Sequence, residues 1–197
     1  MYELEATADV LLMTAQAKTS IAERSIETAP EAALVEAVLA GNRDMFGRLY
    51  QLYTPLVHGV LLARLPRNEV EDMVQDIFLH ALRKLHTLRD KRAFGPWIAM
   101  IARNRAMDFH RSSRETVELT DDLRSGDSSQ SKAEEILAII CKLPDAYRET
   151  LVLRLVEGMS GPEIAARTGL TPASVRVNLH RGMKLLREKL GFKEGLS

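Results

Sequence analysis

The stretch from Ser160 to Arg187 constrains this chain more than any other, because its local signals specify two short helices joined by a tight turn. Ser160 and Glu163 stand at capping-box spacing, so each side chain can satisfy the other's free backbone N–H at a helix start. Ile164, Ala165 and Ala166 follow, small enough for a second helix to pack closely. Gly169 supplies the permissive backbone that an interhelical turn needs. Thr171 is a good N-cap for the second helix, and Pro172 at the first helical position loses nothing by lacking an N–H. Leu170 and Val175 take the two positions of a hydrophobic staple. At 100° per residue, Val175, Leu179, Met183, Leu186 and Leu190 form one apolar stripe. Ala173, Arg176, Val177, His180, Lys184 and Arg187 lie opposite, with Arg181 on the flank. A basic, chemically mixed face that begins at a helix N-terminus suits a recognition helix in a DNA major groove. The competing reading is an amphipathic helix with a solvated basic face.

The formal net charge is +0, which argues against nucleic acid until its distribution is examined. Residues 1–33 hold 2 Lys+Arg against 6 Asp+Glu, and residues 116–131 hold 1 against 4. Residues 34–115 hold 13 against 9, and residues 132–197 hold 11 against 8. Two modestly basic blocks are thus separated by an acidic connector and preceded by an acidic leader, the pattern expected of two DNA-contacting modules. So little excess charge makes a weak DNA binder alone, and implies a partner that supplies affinity.

Other features narrow the class. Helical spacing dominates and no alternating strand pattern occurs, so the expected fold is all-α. No apolar run approaches a membrane span, and the acidic start lacks the positive region of a signal peptide, which points to the cytoplasm. The lone Cys141 sits in the apolar run Ile139-Ile140-Cys141 and reads as a buried structural thiol. His58, His80, His86, His110 and His180 are scattered, with no HExxH, Cys/His cluster or glycine-rich phosphate loop. The chain is therefore expected not to be an enzyme, and no cofactor or metal is implied.

Helices are expected over 31–41, from a cap at Asn42, again after Pro55 up to Pro66, over 69–86, and from Pro96 through Arg111. A basic loop, 87–95, precedes the last of these. Residues 112–131 are polar, acidic and serine-rich, a linker by composition. Helices resume near Ala133, pause at Leu143-Pro144 and continue over 147–157 into the helix-turn-helix. A loose helix around 6–18 has no evident packing partner.

The 69–86 helix presents Val70, Met73, Val74, Ile77, Phe78, Ala81 and Leu85 on one face. Its other face carries Glu71, Asp72, Gln75, Asp76 and Arg83 around one leucine, Leu79. In the next helix, Trp97, Ile98 and Ile101 face inward while Arg103, Asn104, Met107, His110 and Arg111 gather on another side. Arg89, Lys91, Arg92 and Phe94 stand just before it. Cations interleaved with an aromatic and an amide can hold a single strand, although a solvated surface explains the cations equally well and core packing explains Trp97 better.

Taken together, these segments resemble the bacterial sigma-70 family. Val70-Glu71-Asp72-Met73-Val74-Gln75-Asp76-Ile77-Phe78 and Phe94-x-x-Trp97-Ile98-x-x-Ile101-Ala102-Arg103-Asn104-x-x-x-Asp108-x-x-Arg111 look like its region 2. Leu143-Pro144-x-x-x-Arg148, Glu157-Gly158-x-Ser160-x-x-Glu163-Ile164-Ala165 and Ser174-Val175-Arg176-x-x-Leu179-x-Arg181-Gly182 look like region 4. The order and short separation resemble the extracytoplasmic-function (ECF) group, which lacks regions 1.1 and 3. The resemblance spans about Leu34 to Leu190. Residues 1–33 fall outside it, as an extension or an upstream start, with Met13 an internal candidate.

The resemblance implies two small helical domains: region 2 over 34–112, and region 4 over 132–197. A flexible acidic linker over 113–131 joins them, threading toward the polymerase cleft or serving as a tether. It implies a transcription initiation factor that binds core RNA polymerase, at the β′ clamp helices and the β subunit, and directs it to promoter DNA. Asp72, Gln75, Asp76 and Leu79 would dock the clamp helices, the leucine acting as an apolar anchor in a polar rim. Arg89, Lys91, Arg92, Phe94, Arg103, Asn104, Met107 and Arg111 would capture the −10 strand. Ala173, Arg176, Val177, His180, Arg181 and Lys184 would meet the −35 element, with Lys184 and Arg187 better placed for phosphates. An anti-sigma factor is a further implied partner. Two alternatives stay open: a stand-alone helix-turn-helix regulator, and a sigma-like decoy that sequesters an anti-sigma factor.

Overall fold

The computed structural model describes residues 31–117 and 132–191. The leader, including the helix expected around 6–18, and most of the linker lie outside the described residues. Among the described residues the chain is all-helical. Four helices come first: α1 (Glu31–Leu39), α2 (Asp44–Leu62), α3 (Arg67–Lys84) and α4 (Phe94–Val117), with 3-10 turns at Leu85–Thr87 and Lys91–Ala93 before the last. Four more follow: α5 (Lys132–Cys141), α6 (Asp145–Leu155), α7 (Gly161–Thr168) and α8 (Pro172–Lys189).

Helix α2 corrects the sequence reading. Two helices separated at Pro55 were expected, but one helix runs through it with Pro55 inside. Asn42 does not cap it either; the N-cap position is Arg43, with no side-chain cap hydrogen bond. An interior proline costs about 3 kcal/mol because it deletes a backbone bond and crowds the preceding turn. Burial outweighs that cost. Leu49 and Tyr53 before Pro55, and Leu56, Val57, Val60 and Leu61 after it, are all in the core. Each such side chain contributes roughly 1.5–3 kcal/mol, so keeping both halves on one axis is favoured. Helix α4 likewise starts at Phe94 and runs on to Val117, beyond the end expected near Arg111.

The helix-turn-helix forms as its local signals dictate. Ser160 Oγ accepts from the Glu163 backbone N–H at 3.3 Å, and Glu163 Oε2 accepts from the Ser160 N–H at 2.8 Å. Gly169 closes α7 in the left-handed region at φ 78°. Thr171 Oγ1 accepts from the Ser174 N–H at 3.1 Å, and Pro172 opens α8.

Helices α1–α4 pack on one another, as do α5–α8, yet their buried side chains join in a single hydrophobic cluster. Helix α2 lies against α6, and α4 lies against α7. Glycine permits the first contact: a Cβ at Gly59 would stand 2.7 Å from Leu153 Cδ2 and 2.9 Å from Glu157 Cγ. At the second contact, a Cβ at Gly95 would meet the Arg167 carbonyl oxygen at 3.0 Å.

Candidate nucleic-acid and polymerase interfaces

Helix α8 divides its side chains cleanly. Val175 and Leu186 are buried, and Leu179, Met183 and Leu190 pack at the edge of the core. Gly182 lets α6 come close, since a Cβ there would meet Leu151 Cδ1 at 3.0 Å. On the opposite side, Ala173, Arg176, Val177, His180, Arg181 and Lys184 are all exposed, as is Arg187. A cleft of about 380 Å³ runs between α6 and α8, with Arg154, His180, Lys184 and Arg187 among its lining groups. The helix thus presents cations, an imidazole and small apolar groups together, as groove recognition requires.

Helix α3 buries Val70, Val74, Ile77, Phe78 and Ala81. Asp72, Gln75, Asp76 and Leu79 are exposed, and Leu79 is 53% exposed. A large apolar side chain ringed by carboxylates and an amide, on a rigid two-sided helix, has the composition of a protein-docking patch. Leu82, 37% exposed, adds a second apolar group that periodicity did not single out.

The loop before α4 is more ordered than its composition suggests. Asp90 Oδ1 accepts from the Arg92 N–H at 3.0 Å and from Arg92 Nε at 3.1 Å. These hydrogen bonds, with the adjacent guanidinium charge, hold the Asp90 carboxyl below its usual range. Lys91 Nζ donates to the Leu88 carbonyl. Arg89 and Arg92 are exposed and Lys91 is half-buried. Phe94 departs from the sequence reading. It was expected among the strand-contacting residues, but it is 0% exposed, with its ring 5.0 Å from Tyr53 and 5.8 Å from Trp97, centroid to centroid. Its part is to anchor the loop to the core, because its aromatic surface is worth more buried than displayed. Trp97 packs half-buried against the same core.

On α4, Asn104, Met107 and Arg111 are exposed, Met107 at 56%, and Arg111 pairs with Asp108 at 3.4 Å. Arg103 is turned elsewhere. Its Nη2 donates to Glu149 Oε1 at 2.7 Å and its Nε to Oε2 at 3.1 Å. Arg64, at the end of α2, donates from Nη2 to the same Oε2 at 2.6 Å. Glu149 belongs to α6 and is only 6% exposed. Burial alone would raise its carboxyl, but hydrogen bonds and charge from Arg103 and Arg64 prevail and hold it below the usual range.

Sequence reasoning missed this junction. Besides Arg64 and Glu149, it contains His58, whose Nδ1 lies 2.6 Å from Glu157 Oε1. Arg148 donates to the Ala63 carbonyl at 3.1 Å, and Arg167 to the Leu52 carbonyl at 3.2 Å. Arg167 also stands 5.7 Å above the Tyr53 ring. Burial, then the charge and hydrogen bond of Glu31, push the Tyr53 hydroxyl far above its ordinary range. Cys141 is half-buried, its thiol 3.6 Å from the Leu62 carbonyl and pushed up by burial, as a structural thiol should be. No group of His, Cys, Asp and Glu able to hold a metal occurs among the described residues. No helix among them is long and apolar enough to cross a membrane.

Comparison with known proteins gives this geometry its context. The family model for Sigma-70 region 2 matches residues 49–116, and that for Sigma-70, region 4 matches residues 133–186. RNA polymerase sigma factor CarQ of Myxococcus xanthus is 35% identical over 164 residues, covering 78% of this chain and 94% of the relative. ECF RNA polymerase sigma factor BldN of Streptomyces coelicolor is 32% identical over 166 residues, covering 78% of this chain and 63% of the relative. Among solved structures, CnrH in complex with the cytosolic domain of CnrY superposes with a TM-score of 0.59 at 25% identity, covering 84% of this chain and 100% of that one. The chain therefore belongs to the sigma-70 family of RNA polymerase sigma factors, in its ECF group.

Proposed function

We propose that this chain binds core RNA polymerase and carries it to promoters by a two-point grip. Helix α8 reads the −35 element in the major groove, where Arg176 or Arg181 can hold a guanine through two hydrogen bonds, worth about 1–3 kcal/mol of discrimination. The loop before α4, with Asn104, Met107 and Arg111, captures the unstacked strand of the −10 element. Asp72, Gln75, Asp76 and Leu79 dock the β′ clamp helices. Residues 34–112 and 132–197 act as the two DNA-contacting units. The protein contributes no covalent chemistry of its own and works in the cytoplasm. An anti-sigma factor holds it in reserve, a reading that CnrH, solved with a partner's cytosolic domain, supports.

The observation that carries this reading is the exposed face of α8, set opposite buried Val175 and Leu186 in a chain whose two family regions stand in order. Transcription reconstituted from core polymerase, this chain and genomic DNA tests it. Promoter-dependent starts are expected, and their sequencing reveals both elements. Arg176→Ala with Arg181→Ala should abolish −35 preference while core binding persists. If core binding fails instead, the faces are wrongly assigned; if core binds and no promoter-dependent transcript appears, the initiation role is wrong.

A further inference from the structure

Two arginines from separate segments of the first domain converge on one carboxylate of the second. Arg64 sits beyond the C-terminal end of α2 and Arg103 sits on α4, yet both reach Glu149 on α6, at 2.6 and 2.7 Å. Arg103 grips it with two N–H donors. Among the described residues neither arginine forms a salt bridge with any other carboxylate. Arg64 adds one donor, its Nη1 being held by the Val60 carbonyl, and three N–H donors converging on one oxyanion match a phosphate as well as a carboxylate. When α6 moves away, this pair of like charges is left aimed at one point on the first domain, next to Asn104 and Met107.

We propose that Arg64 and Arg103 form a binding site for a backbone phosphate of the promoter strand, and that Glu149 occupies this site in the free chain as an intramolecular competitor. The assignment rests on the promoter-binding reading and adds a residue, Arg64, and a mode of control to it. Burying an ion pair contributes little net stability, because desolvation offsets the attraction. The charged triad therefore adds little to the apolar contacts that also hold the closed form, and its loss on opening is offset when the arginines receive another oxyanion. Exchanging carboxylate for phosphate keeps both guanidiniums paired with an oxyanion, whereas opening without DNA leaves Arg103 to water and Arg64 with only the Val60 carbonyl of α2 as a protein acceptor. Polymerase-bound promoter DNA supplies that exchange partner.

The test uses the full chain, alone and in holoenzyme. For the free chain the probe is a fluorescein-labelled single-stranded DNA oligonucleotide of mixed sequence. Glu149→Gln is expected to tighten its binding about tenfold over the wild-type chain, by removing the competing charge, and Arg64→Ala combined with it to reverse the gain. Gly59→Leu provides a second way to open the junction without touching any of the three charged groups, since its side chain runs into Leu153 and Glu157. It should increase the radius of gyration and tighten DNA binding likewise.

In holoenzyme on a promoter fragment mapped by transcript-start sequencing, Arg64→Ala should weaken promoter binding about tenfold and lower the salt dependence by about one phosphate's worth. Arg64→Lys, which keeps the charge without the planar guanidinium, should recover part of the affinity and the full salt slope. A salt slope unchanged by Arg64→Ala overturns the phosphate site. An opened Gly59→Leu chain that binds the oligonucleotide no better than wild type overturns the competition. If wild-type holoenzyme itself starts no transcripts, the promoter reading has failed, and that result is separable from either of the others.

Discussion

His58 donates from Nδ1 to Oε1 of Glu157 over 2.6 Å, tying the middle of α2 to the segment that leads out of α6. That hydrogen bond raises the imidazole above its ordinary value of 6.5, against a smaller lowering by burial. Glu157 and Glu71 raise it further by charge, while Arg67 on α3 lowers it. The charged imidazole therefore favours the packed arrangement. Its contribution is complete below pH 6.5 and is lost as the pH climbs through the raised value. Melting temperature should fall over that interval, and small-angle scattering should show a growing fraction of extended chain. His58→Asn should remove most of this dependence; a wild-type chain with a flat profile would show that the pair does not help to hold the junction.

The capping box at Ser160 sets the entry to the helix-turn-helix, so its loss should be felt in stability before recognition. Ser160→Ala removes the hydroxyl that accepts from the Glu163 N–H at 3.3 Å. The expected cost is about 1 kcal/mol. For a chain of this size that lowers the melting temperature by about 2–4 °C. Calorimetry measures it, and −35 preference at a temperature well below the transition should be unchanged.

Phe94 and Met107 were grouped as contact residues by sequence, and the structure separates them. Phe94→Ala opens a cavity beneath the loop and should destabilise the chain by about 3–5 kcal/mol. Met107→Ala alters an exposed side chain and should shift stability by less than about 0.5 kcal/mol. The two should trade places in a promoter-melting assay run at low temperature, where both variants are folded. There Met107→Ala should slow strand opening more than its stability change explains. A Phe94→Ala chain with the melting temperature of the wild type would mean that the ring is not core.

Much of the fold was written in short-range signals. Ser160, Glu163, Gly169, Thr171 and Pro172 act within one or two turns of their own position, so the two helices and their turn could be read without knowing any neighbour. The same holds for α3. Its period separates Val70, Val74 and Ile77 from Asp72, Gln75 and Asp76, and the residues fall on those faces in the structure. The family, too, was legible, because its motifs are local words in a fixed order.

Elsewhere local and long-range energies disagreed, and only the tertiary structure decided. Pro55 argues for a helix break over a few residues, yet core contacts along the whole of α2 keep the helix continuous. Phe94 has the company of a nucleic-acid contact, but Tyr53 and Trp97 offer its ring a drier place. Glu149 meets Arg64 and Arg103 across 85 and 46 residues of chain, a pairing that leaves no period or spacing behind. The caps at Ser160 and Thr171, the turn at Gly169 and the amphipathic faces depend on residues a few positions apart and are therefore determined by the sequence itself. How the two helical units meet, and which charges they hide in meeting, depends on packing among distant segments and is decided only in three dimensions.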